Sequence, residues 1–171
     1  MKMTEARVEM NFRAAEALKS VLSEVSTLKL KEIRRASTFS SRQTGFVVRV
    51  DVLGHTHTLA CEVKANADPH QLRDVLRELQ QSAAHITGDT TLVLIAPYLS
   101  PEAQALCKES HAGFLDLEGN ARIAIGEVFI GKCTFAPCHV NQPMVARAID
   151  TPHDVHRGSM ASHSRAAVTV S

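Results

Sequence analysis

The residues best suited to chemistry lie in the string Ala60-Cys61-Glu62-Val63-Lys64. Glu62 and Lys64 are two apart, so on a strand both side chains leave one face and Val63 leaves the other. A carboxylate can hold a Mg²⁺ that neutralises a scissile phosphate, and a neighbouring ammonium can stabilise developing charge or orient the attacking water. The same spacing also suits an ordinary Glu and Lys pairing on an exposed strand face. Asp51 is the obvious second carboxylate, and Asp116 is a further one at the end of an apolar run. Asp116 equally suits an Asp that organises the turn Asp116 to Asn120 through its own backbone.

Other donors are less ordered. His55 and His57 share a strand face and could meet a transition metal or stand as exposed polar groups. Cys133, Cys138, His139, His153 and His156 supply enough donors for zinc but follow no standard spacing. Cys61 and Cys107 are expected to be packing residues. The four cysteines have no C-x-x-C spacing and suggest reduced thiols. Neither a Gly-rich phosphate loop nor a G-x-S-x-G elbow is present in the sequence.

Positioning these residues requires an α/β frame. Ala14, Ala17, Leu18, Val21, Leu22 and Val25 recur at helical steps, predicting a long first helix from about Glu5 to Leu30. The basic, serine-rich stretch 29–44 reads as a connector. Phe46 to Leu53 and Thr56 to Val63 have the composition of paired strands. Asp68-Pro69 and Ser100-Pro101-Glu102 open helices, and Thr90 to Ala96 and Gly113 to Leu117 read as buried strands. Glu118-Gly119-Asn120 turns into a last hairpin, Ala121 to Ile125 and Val128 to Ile130. The alternation predicts a mixed central sheet flanked by helices, in a domain over residues 1–136, with residues 137–171 as a disordered tail.

If Gly54-His55 is a two-residue turn, Glu62 lies opposite Val47 and Asp51 opposite Thr58. Asp51 then shares the face of Glu62 but sits about 13 Å further along the sheet, beyond reach of a shared Mg²⁺ unless a bulge or longer loop intervenes.

The E-x-K string after a hairpin, followed by a helix and a buried strand and preceded by a helix carrying Glu16, resembles the PD-(D/E)xK nuclease superfamily. So do Leu94-Ile95-Ala96-Pro97-Tyr98-Leu99-Ser100 and the stretch from Gly113 to Arg122, which look like a bacterial branch of restriction-endonuclease-like proteins. The resemblance extends to about Phe135 and implies an αβββαβ-type restriction-endonuclease-like core. That branch often carries a winged-helix DNA-binding domain after the nuclease-like one, and the residues after 136 do not read as one. The resemblance implies Glu62, Lys64 and Asp51 as catalytic residues, with Asp51, Glu62 and Glu16 holding Mg²⁺, for which Mn²⁺ could substitute. The activity implied is Mg²⁺-dependent DNA endonuclease cleavage; a catalytically degenerate nuclease fold used for DNA binding or regulatory interaction is the alternative.

Composition fits either reading. The chain has 171 residues, 44% hydrophobic and 22% charged, enough for a core and unlike a fibrous, wholly disordered or disulfide-stapled molecule. No Trp, one Tyr and six Phe argue against single-strand binding by aromatic platforms. The net charge of +1 resolves into +5 over residues 1–50 and −4 over the remainder. Lys29, Lys31, Arg34, Arg35 and Arg42 concentrate that basic excess and could contact DNA phosphates, or could be a solvated helix end and loop. DNA is the expected partner, with a homodimer left open. The absence of a long apolar run implies no membrane span and a cytoplasmic location.

Overall fold

Helix α1 (Glu5–Ser23) stops a full turn and more before Leu30. The computed structural model describes residues 5–35, 45–86, 88–133 and 167–170. In it the basic stretch after the helix is a strand, β1 (Leu28–Arg35), rather than a connector. The ladder to the next strand shifts between Leu30 and Glu32, a bulge at Lys31. Leu28 and Leu30 therefore share a face with Ile33 and Arg35, and the three-residue gap breaks the period-two alternation by which a strand is recognised.

The remaining elements follow as β2 (Gly45–Val52), β3 (His55–Val63), α2 (Pro69–Ala83), β4 (Thr90–Ala96), α3 (Pro101–Glu109), β5 (Gly113–Asp116), β6 (Ala121–Ile125), β7 (Val128–Lys132) and β8 (Ala167–Val170). With β1 included, the chain begins in the order αβββαβ. All eight strands form one sheet in chain order. β1, β2 and β3 are antiparallel, β3, β4 and β5 are parallel, and β5 to β8 are antiparallel again. β8 falls in the stretch expected to be tail; Ala167-Val168-Thr169-Val170 has the alternation and β-branching of a strand and pairs with β7.

The helices start where local chemistry dictates. Asp68 accepts a hydrogen bond from the His70 amide at 2.9 Å, and the Ser100 hydroxyl accepts one from the Ala103 amide at 3.2 Å. Ala14, Leu18, Val21 and Leu22 of α1 pack on one sheet face, against Val48, Val50, Leu59 and Ile95 among others. Leu72 and Leu76 of α2, with Ala103, Leu106 and Cys107 of α3, cover Leu94, Ala96 and Phe114 on the other face. The sheet thus separates α1 from α2 and α3.

Cys61 and Cys107 are free and buried. Burial pushes both thiols upward, that of Cys107 to about 12. Cys133 is disulfide-bonded, so the expectation of four reduced thiols does not hold. Among the described residues no helix is long and apolar enough to cross a membrane.

Candidate functional site

The β2–β3 turn decides which residues can meet. Leu53 and Gly54 occupy it with φ of 52° and 91°, both positive as a two-residue type I′ turn requires. Val52 therefore pairs with His55, and the hairpin is offset by two from the register that a Gly54-His55 turn would give. Glu62 lies opposite Gly45, and Asp51 opposite Thr56. Asp51 is six residues from the level of Glu62, about 20 Å along the strands, further away than the sequence-based register placed it.

Asp51 is occupied locally. Its Oδ1 accepts the Gly54 amide at 2.9 Å and its Oδ2 meets Lys31 Nζ at 2.9 Å. The Lys31 hydrogen bond, followed by that from Gly54, holds its carboxyl below the usual carboxylate range. Glu16 sits on α1, across the sheet from Glu62, exposed and bridged to Lys19 at 2.6 Å. The implied set Asp51, Glu62 and Glu16 is thus divided between two ends of a hairpin and two faces of a sheet. Mg²⁺ needs its oxygens together at about 2.0–2.1 Å, so these three do not fit one ion. Among the described residues no group of three or more His, Cys, Asp and Glu could hold a metal.

Glu62 and Lys64 do come together. Lys64 Nζ lies 3.0 Å from Glu62 Oε1, with the Glu62 side chain 3% and that of Lys64 19% exposed. Both belong to the face covered by α2 and α3. Burying such a pair costs desolvation that the attraction only partly offsets. Gly45 makes room for it: a Cβ there would stand 2.4 Å from the Cys61 carbonyl oxygen and 3.2 Å from Glu62 Oε2. This requirement becomes legible only once the register is known.

Asp116 is the loop organiser. It is 1% exposed; Oδ1 accepts the amides of Glu118 (3.1 Å) and Asn120 (2.8 Å), and Oδ2 accepts Asn120 Nδ2 at 2.8 Å. His57 is 9% exposed, its Nδ1 4.0 Å from Asp89 Oδ2 and its ring against Gly126, while His55 is exposed. His57 is thus a packed residue beside a turn.

The basic residues are not one cluster. On a strand they alternate: Lys29 lies opposite Asp51 and Arg34 opposite Val47, on the face of Glu62, whereas Arg35 lies opposite Phe46, on the face of α1. Lys31 occupies the bulge, and Arg34 pairs with Glu32. Arg42 lies outside the described residues, as do Cys138, His139, His153 and His156. Arg49, opposite Glu32 and Thr58, adds a cation on this face, for which its two-residue step from Asp51 is the signal in the sequence. Lys29, Arg34 and Arg49 are all exposed on the Glu62 face of β1 and β2, spread along the strands at the levels of Thr56, Ala60 and Thr58, with Asp51 and Glu32 among them.

No family model and no curated protein matches the chain. One solved structure, the apo form of EndoMS, is similar at 17% identity and a TM-score of 0.38, covering 61% of this chain and 45% of that one. The chain thus spans less than half of that protein. A likeness this slight carries no argument about chemistry.

Proposed function

We propose that the chain is a restriction-endonuclease-like domain that binds the DNA backbone and acts as a binding module rather than a nuclease. The observation carrying this reading is the shared sheet face: Lys29, Arg49 and Arg34 are spread along the strands, at the levels of Thr56, Thr58 and Ala60, on the face that carries Lys64, in the strand order αβββαβ that the family resemblance implies. Four cations against the three carboxylates Glu32, Asp51 and Glu62 leave this face with a net positive charge for phosphates to meet. Binding would release condensed counterions, giving affinity that falls with salt and reads little sequence. Glu62 would orient Lys64, whose side chain is 19% exposed. Glu62, Asp51 and Glu16 lie too far apart to form the shared metal site of a nuclease.

Mg²⁺-dependent endonuclease activity is the second reading, favoured by the buried contact between Glu62 and Lys64 in the family's E-x-K positions. Supercoiled plasmid incubated with Mg²⁺ or Mn²⁺ separates the two. The binding reading expects intact plasmid and a salt-sensitive complex. Nicking by the wild type that disappears in Glu62→Ala/Lys64→Ala would establish the nuclease instead.

A further inference from the structure

We infer that one flank of α1 is a docking surface for a second copy of this chain, the two helices meeting antiparallel across a two-fold axis at Phe12. The inference is independent of the DNA-binding reading, because α1 covers the sheet face opposite the one that carries Lys29, Arg34, Arg49 and Lys64. Among the described residues five large apolar side chains are exposed: Val8, Phe12, Leu30, Leu53 and Tyr98. Leu30, Leu53 and Tyr98 belong to three separate segments. Val8 and Phe12 are four apart on one helix, so they share a face, and Phe12 at 66% is the most exposed of the five. The buried residues of α1 begin only at Ala14, with Met10 packed against the core ahead of it.

The charges of α1 say what covers this flank. Steps of three and four residues carry Glu5, Val8, Phe12, Ala15 and Lys19 along one stripe, about 21 Å from end to end. Glu5 and Lys19 each lie seven residues from Phe12, at opposite ends of the stripe and with opposite charge. Two such stripes laid antiparallel, Phe12 on Phe12, put Glu5 of each copy against Lys19 of the other, as a two-fold interface requires. Val8 then faces Glu16 and Glu9 faces Ala15, so no like charges oppose. A parallel pairing would set Glu5 against Glu5 and Lys19 against Lys19. Lys19 already bridges Glu16 within its own helix, and its ammonium has three donors, so a second carboxylate can join. The Phe12 pair supplies an aromatic centre with the charges at its rim, the usual anatomy of a protein interface.

An interface one helix wide is small, so association should depend on concentration. Sedimentation equilibrium of the full chain from about 1 to 300 µM should show the mass rising from monomer toward dimer. Phe12→Asp should weaken association by more than about tenfold and leave the thermal midpoint of dilute protein unchanged, since that side chain lies mostly in solvent. Glu5→Lys and Lys19→Glu should each weaken it, and the double exchange Glu5→Lys/Lys19→Glu should restore it. Restoration singles out the pairing between copies, because the effects of the two changes on the helix dipole and on Glu16 would add rather than cancel. A monomer across the whole range overturns the inference. So does a dimer indifferent to Phe12→Asp, or one that the double exchange fails to restore.

Discussion

At the residue scale, the carboxylates have separate tasks. Asp116 accepts three hydrogen bonds in a buried loop, and Asp116→Ala would leave the Asn120 amide and side chain without their acceptor. Groups deprived this way cost about 1–3 kcal/mol each, so a loss of about 3 kcal/mol is expected in urea unfolding, with the sheet otherwise retained. Asp51 titrates below the ordinary range because Lys31 and the Gly54 amide hold its charged form. A depressed carboxyl stabilises the fold above its unfolded value, 3.8, and ceases to do so as pH falls through the folded value. The stability gap between wild type and Asp51→Asn should therefore be constant near neutrality and close below about pH 4. A pH series of denaturation midpoints checks this. The turn-organising option for Asp116 was visible in its spacing to Gly119-Asn120. The tie between Asp51 and Lys31 was not, because it depends on β1.

At the element scale, one bulge and one turn account for what the sequence hid. Ser100-Pro101 and Asp68-Pro69 declare their helices locally, because an N-cap needs only its own next residues. β1 is concealed because the bulge at Lys31 interrupts the alternation of Leu28, Leu30 and Ile33. The hairpin register depends on which two residues adopt positive φ, and Leu53 is an uncommon occupant of such a position. Choosing Leu53-Gly54 rather than Gly54-His55 moves every β2 residue by two places and puts Gly45, not Val47, against Glu62. Gly45→Ala should destabilise by about 1–3 kcal/mol, since the added methyl meets the backbone carbonyl of Cys61, which cannot swing away. Thermal unfolding measures it; an unchanged midpoint would contradict the register. On β1 and β2, Lys29→Gln, Arg34→Gln and Arg49→Gln should weaken duplex binding similarly across DNA sequences. Each should reduce the slope of log K against log salt by about 0.9 if its cation meets one phosphate. Arg35→Gln, on the opposite face, should leave the slope unchanged.

At the scale of the whole molecule, near-zero net charge conceals a sorted distribution. The basic part of the chain supplies α1, β1 and β2, and β1–β2 display Lys29, Arg34 and Arg49 on the face that carries Glu62 and Lys64 while α1 covers the opposite face. The mixed sheet and flanking helices were legible from the alternation of apolar runs and caps. The side of the sheet taken by α1 was not, because no pattern within a helix says which face of a distant sheet it will cover. That side removes Glu16 from Glu62, and the hairpin register removes Asp51. Phosphate binding by the cations of this face accordingly needs no metal. The most direct test is fluorescence anisotropy of a labelled duplex titrated with the protein in EDTA over a range of salt. The expected result is binding without metal, with log K falling linearly as log salt rises. No binding in EDTA, with binding restored by Mg²⁺, would contradict it.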